Sequence, residues 1–203
     1  MKLYYAAASP FVRKVLIALH ETNLLDQVEV VPVAVNPFSP GDVVPALNPL
    51  GKIPCLELAD GTTLYDSRII TRYLSTLAPA SEIYPDDDSL WDALTLEATA
   101  DGIMDAAVTM IYELRIRPED KVYKEFIDAQ WQKIDRALSA IESRWMTQLN
   151  EQKNLPVLAV AAALDYVDFR HDDRNWRDTH PTLATWEAEI RERPSLVATI
   201  PVG

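Results

Sequence analysis

Apolar positions along this chain change their period near residue 78, and the change divides it into two kinds of structure. Upstream, short β-branched or aromatic runs alternate with isolated helical patterns. Lys2-Leu3-Tyr4-Tyr5 reads as a strand, Pro10 to Leu19 as a helix with Phe11, Val15, Leu16 and Leu19 on one side, and Val28 to Val35 as a second strand. Asn36 to Leu50 holds four prolines and a glycine and reads as an irregular loop. Cys55-Leu56-Glu57-Leu58, then Asp60-Gly61, then Thr63-Leu64-Tyr65 spell strand, turn and strand. A helix opens at Ser67, with Ile69, Ile70, Tyr73, Leu74 and Leu77 at helical spacing.

Ala78 to Asp88 contains two prolines and three consecutive aspartates, the composition of a linker. Everything after it has helical period. Leu90 to Arg117 forms one long pattern, stopped by Pro118. From Glu119 to Leu149 a second helix is expected, with Ile127, Trp131, Ile134, Leu138, Ile141 and Trp145 spaced 4, 3, 4, 3, 4. Such a stripe packs a core. Leu155 to Asp168 is apolar around most of its circumference and is expected to be the buried central helix of a bundle. Pro181 suits a first helical position and opens a last helix with Leu183, Trp186 and Ile190. The expected architecture is an α/β unit at 1–77, a linker at 78–88 and an all-α helical bundle at 89–203.

Composition narrows the function classes. The 203 residues carry 31 acidic against 19 basic side chains, a net charge of −12, which argues against nucleic acid or an anionic membrane as partner. One cysteine, Cys55, allows neither an intramolecular disulfide nor a protein-only metal cluster, and His20, His171 and His180 are too scattered to suggest a metal site. The start of the chain has no signal-peptide pattern, and the longest nearly apolar run, Leu155 to Leu164, is far short of a membrane span. A cytoplasmic protein without a metal is expected.

Candidate chemistry gathers at helix starts. Asp66-Ser67 opens a helix whose first N–H groups lack intrahelical partners and carry positive dipole, a terminus suited to a carboxylate. Asp66 beside it can accept from an ammonium, so the pair matches an amino-acid head group. It also suits a plain capping pair. Ser9 before Pro10 is either a helix N-cap or a hydroxyl that donates to a bound anion. A hydroxyl has one donor and two acceptor sites, so both are compatible. Tyr4 and Tyr5 are rival donors. Asp101 and Asp105, four apart, suit a solvated face, an inter-subunit contact or an acid–base pair.

Four segments in order resemble the cytosolic glutathione S-transferase family, bacterial and serine-type. They are Ser9-Pro10-Phe11-Val12-Arg13-Lys14-Val15, Asn48-Pro49-Leu50-Gly51-Lys52-Ile53-Pro54, Tyr65-Asp66-Ser67, and His180-Pro181-Thr182-Leu183 through Arg193-Pro194-Ser195. Ala100 to Ala106 resembles a bacterial subgroup. The resemblance covers nearly the whole chain. It implies a thioredoxin-like first domain, a helical second domain and a homodimer.

It also implies roles. Glutathione would be the co-substrate and a small hydrophobic electrophile its partner. Pro54 would be cis, turning the Ile53 backbone towards the ligand peptide. Asp66 would take the γ-glutamyl ammonium, and Ser67 the carboxylate. Lys52 or Arg68 would meet the glycyl carboxylate. Arg13 would form a salt bridge between domains. With no cysteine at the first strand-to-helix turn, the ligand must bring the thiol, and Ser9 would be the catalytic hydroxyl. Lowering a thiol pKa of ~8.5 by two units means stabilising the anion by roughly 2.7 kcal/mol. The electrophile is expected near Phe11, Met104, Thr109 and Tyr112. Alternatives on the same fold are a glutathione-dependent isomerase, dehalogenase or peroxidase, or a non-catalytic interaction module. One departure is Asn154-Leu155-Pro156-Val157, where the family has a full capping box: Asn154 can cap, but Val157 cannot reach back.

Overall fold

The computed structural model describes residues 1–202 and divides into two compact units, residues 1–84 joined by the segment from Ala198, and Pro85–Val197. In the first, β1 (Lys2–Tyr5) leads into α1 (Pro10–Glu21), β2 (Glu29–Pro32), α2 (Val43–Leu47), β3 (Cys55–Glu57), β4 (Thr63–Leu64) and α3 (Ser67–Leu77). The sheet order is β2-β1-β3-β4. β1 pairs parallel with β2 and antiparallel with β3, and β3 pairs antiparallel with β4. The hairpin turns at Gly61, whose φ of 86° a side chain would resist.

Leu3, Cys55 and Leu56 of the sheet are fully buried with Val15 and Leu19 of α1 and Ile70 and Leu74 of α3. Phe11 and Leu16 stay half-exposed, so the buried face of α1 turns towards Val12 and Ile17 instead. The loop expected between Asn36 and Leu50 contains α2. Pro45 is its third residue, where the backbone N–H would have no intrahelical partner, so proline costs no hydrogen bond there.

The second unit contains α4 (Leu90–Arg115), α5 (Lys124–Arg144), α6 (Met146–Glu151), α7 (Leu155–His171), α8 (Trp176–Thr179), α9 (Pro181–Ile190) and α10 (Pro194–Val197). α7 packs against α4 and is buried from Leu155 to Leu164 on all sides. Asn154 caps it, accepting from the Val157 N–H at 3.3 Å. The helix expected to run to Leu149 breaks at Trp145, whose indole donates to both Asp92 oxygens at 3.0 Å. The helix opened by Pro181 is not the last, since α10 follows it.

Asp101 is buried while Asp105 is exposed. A shared solvated face therefore fails: α4 is covered over so much of its circumference that residues one turn apart fall on either side of the boundary. His180 precedes α9 and makes no side-chain cap bond. Glu142 of α5 substitutes, its Oε1 accepting from the Leu183 N–H at 3.0 Å, with its Oε2 3.5 Å from His180 Nδ1. Burial alone would raise the Glu142 carboxyl. The Leu183 and Thr182 N–H groups and the Thr182 and His180 side chains outweigh it and hold the carboxyl below the ordinary range. No helix among the described residues is long and apolar enough to cross a membrane.

Candidate functional site

The strand register brings three separated segments to one edge of the sheet. Leu56 faces Leu64 and Glu57 faces Thr63, so the pairing continued two steps sets Pro54 against Asp66. Tyr4 faces Cys55, which sets Tyr5, just before the Ser9 turn, against Pro54 as well. The starts of α1 and α3 therefore lie at this edge, and both helices point their positive ends towards it.

Each segment presents polar groups. Ser9 caps α1, its Oγ accepting from the Val12 N–H at 3.3 Å, which leaves its own O–H to donate. The Ile53–Pro54 peptide is cis, and so is Tyr65–Asp66. Among the described residues neither the N–H nor the C=O of Ile53 has a backbone partner. Asp66 is exposed and caps α3, one oxygen accepting from the Arg68 N–H at 3.0 Å. Ser67 is buried, and its N–H, first in α3, has no partner among the described residues. Lys52 and Arg68 are exposed nearby in the sequence.

One residue of this edge had no role assigned from sequence. Asn48 is buried, donates from Nδ2 to the Lys52 carbonyl at 2.8 Å and accepts from the Leu50 N–H at 3.0 Å. Both bonds clamp the turn that ends at Pro54. The turn closes at Gly51, where φ is 63° and a Cβ would lie 3.1 Å from the Pro40 Cβ. The signal was an Asn-Pro pair with a glycine three residues after the asparagine.

Tyr4, one of the rival donors, and the lone cysteine are both taken up elsewhere. Tyr4 donates to Glu57 at 2.6 Å, and that bond, with burial, pushes its pKa up to about 12. Cys55 is fully buried, and burial with the nearby Glu57 pushes its thiol up to about 11, so it stays protonated and unreactive at neutral pH. Arg13 is buried and donates to Thr199 at 3.4 Å.

Of the residues expected near an electrophile, Phe11 is half-exposed on α1. In α4, Met104 is fully buried, the Thr109 hydroxyl donates to the Asp105 carbonyl at 2.8 Å, and Tyr112 is 41% exposed with its hydroxyl pKa raised by burial. In the same unit Asp165, Asp168 and Glu187 bring carboxylate oxygens within 4.8 Å of one another. Arg177 donates to both Asp168 and Glu187, supplying the positive charge this cluster needs.

Comparison with known proteins identifies relatives of this chain. Residues 8–77 match the family model for the glutathione S-transferase N-terminal domain. The chain is 32% identical to the uncharacterised GST-like protein YibF of Escherichia coli (strain K12), over 99% of this chain and 98% of that protein. It superposes with a TM-score of 0.97 on a glutathione transferase family member from Pseudomonas fluorescens Pf-5 with bound glutathione, at 43% identity over 100% of this chain and 99% of the other. A structure of a family member from the same strain with bound S-(propanoic acid)-glutathione gives 0.92 at 43% identity, with both chains fully covered.

Proposed function

Because the chain belongs to the glutathione S-transferase family, we propose that it binds glutathione at the sheet edge formed by Ser9, Ile53-Pro54 and Asp66-Ser67. It lowers the thiol pKa there and conjugates the sulfur to a small electrophile.

The observation that carries this reading is the convergence of two helix starts on a backbone with open hydrogen-bonding groups. The Ile53 N–H and C=O suit a peptide ligand added as a strand. Asp66 offers a carboxylate to the γ-glutamyl ammonium, and the Ser67 N–H and hydroxyl suit its carboxylate. Lys52 and Arg68 bring positive charge for the glycyl end, needed in a chain of net charge −12 that binds an anion. The Ser9 hydroxyl then donates to sulfur while still capping α1.

Each proposed contact favours the thiolate over the thiol, because a donor hydrogen bond and a helix N-terminus both stabilise negative charge. The thiolate attacks the electrophile, and its electron pair makes the new carbon–sulfur bond. Bound glutathione and S-(propanoic acid)-glutathione in the Pseudomonas relatives support this assignment of ligand and product type.

Calorimetric titration with glutathione tests it, followed by a pH titration of thiolate absorbance in the complex. Saturable binding and a bound-thiol pKa below the free value are expected. An absence of binding overturns the reading.

A further inference from the structure

One buried side chain ties together the turn that runs from α2 to Pro54, wholly within the sheet-containing unit. Asn48 directly follows α2 and is 2% exposed, and each of its polar groups is engaged. Its N–H donates to the Val44 carbonyl of α2 at 2.8 Å, and its carbonyl accepts from the Gly51 N–H at 2.8 Å. Its side-chain oxygen accepts from the Leu50 N–H at 3.0 Å, and Nδ2 donates to the Lys52 carbonyl at 2.8 Å. Next to it, the Leu47 carbonyl accepts from the Thr63 hydroxyl of β4 at 2.9 Å, which fastens the start of the turn to the sheet.

The bond to Lys52 acts one residue further on. The Lys52 carbonyl and the Ile53 N–H belong to the same peptide unit, and that unit is trans. In a planar trans peptide the C=O and the N–H point in opposite directions. By holding the oxygen, Asn48 therefore fixes the direction of the Ile53 N–H, which points away from the buried amide. This N–H has no backbone partner among the described residues. A fully engaged interior side chain thus aims a donor that the fold itself leaves open. Ordering that donor in advance lowers the cost of binding a ligand to it.

We propose that Asn48 is a positioning residue for the peptide part of glutathione. It acts through the Lys52–Ile53 peptide, aiming the Ile53 N–H at the cysteinyl carbonyl of the ligand. The inference rests on the glutathione-binding reading and extends it to a residue outside the set proposed to contact the ligand. The same cysteinyl residue carries the thiol, so the aim of this one N–H also helps to set where the sulfur comes to rest.

The chemistry of the position explains the residue type. The Leu50 N–H needs an acceptor and the Lys52 carbonyl needs a donor. An amide carries both on one head group, whereas an ionised carboxylate only accepts and an aliphatic side chain does neither. Glutamine has the same head group on a stem one methylene longer, which a closely packed site resists.

The test titrates the full chain calorimetrically with two probes, glutathione and γ-glutamylcysteamine. The second keeps the γ-glutamyl head and the thiol but lacks the cysteinyl carbonyl and the glycine. The parent protein is expected to prefer glutathione. N48A and N48D should each cut that preference about fivefold, the worth of one hydrogen bond, and leave γ-glutamylcysteamine affinity unchanged within about twofold. A general loosening of the site would instead weaken both probes alike. N48D keeps the side-chain shape and the acceptor for the Leu50 N–H, so it carries the test if N48A does not fold. It is measured at pH 8, where its carboxyl is ionised and turns an oxygen towards the Lys52 carbonyl. An unchanged preference in a folded variant, or an equal loss for both probes, overturns the proposal and leaves the glutathione reading standing. A parent protein that does not bind glutathione overturns both.

Discussion

The Ser9 hydroxyl accepts a hydrogen bond from the Val12 N–H at 3.3 Å, so the side chain proposed to activate sulfur also caps the helix behind it. The two duties separate on substitution. Ser9→Ala should cost about 1 kcal/mol of stability from the lost cap. It should also raise the bound thiol pKa by about one unit, roughly 1.4 kcal/mol, and slow turnover near neutral pH about tenfold. Glutathione affinity should stay within a few-fold. Chemical denaturation, thiolate absorbance and a generic aromatic electrophile read the three effects. A wild-type pKa and rate in the variant would pass the role to the backbone N–H groups of the 9–12 turn.

Asp66 allows a cleaner separation, because asparagine caps helices as well as aspartate does. Asp66→Asn should keep the bond to the Arg68 N–H and the melting temperature. It should lose about 1.5–3 kcal/mol of glutathione affinity, the range for a hydrogen bond to a charged group. Calorimetry at neutral pH decides the matter, and unchanged affinity would mean that the γ-glutamyl ammonium binds elsewhere.

Glu142 predicts a pH dependence. Its carboxyl is held below the ordinary range in the folded protein. A depressed folded pKa adds stability above the unfolded value, and that stability is lost as the pH falls through the folded one. Glu142→Gln should therefore lower the urea midpoint at pH 7 by the equivalent of about 0.5–1 kcal/mol, the size of a charge–helix-terminus interaction. The gap between variant and parent should shrink towards pH 3. A gap equal at both values would show that shape, not charge, holds the start of α9.

Trp91 is 74% exposed and Leu50 68% exposed, large apolar side chains left open to solvent. A homodimer would cover such surfaces. Sedimentation at micromolar concentration should return twice the mass of one 22.8 kDa chain. The single-chain mass would exclude the dimer.

Local pattern made much of this structure legible. β1 runs over the four residues read as a strand, and α3 opens at Ser67, because both depend on neighbours in the sequence. The Asp66 cap belongs to the same kind of short motif, whereas the cis peptide before Pro54 is what the family resemblance implies. What escaped depends on contacts made across distance. Glu142 caps a helix 41 residues away, and no local signal marks it. Asp101 looks like surface in the sequence, yet the fold buries it. The break at Trp145 becomes visible once the indole meets Asp92 on another helix.

The bond from Arg13 to Thr199 joins residues 186 positions apart inside one compact unit. That unit is therefore discontinuous: its sheet and first helix emerge from the ribosome early, while its closing segment emerges only after the whole helical bundle. A nascent chain must hold the sheet-containing unit incomplete until then. Severing the protein at its linker would not yield two whole parts, because one of them would lack its final piece.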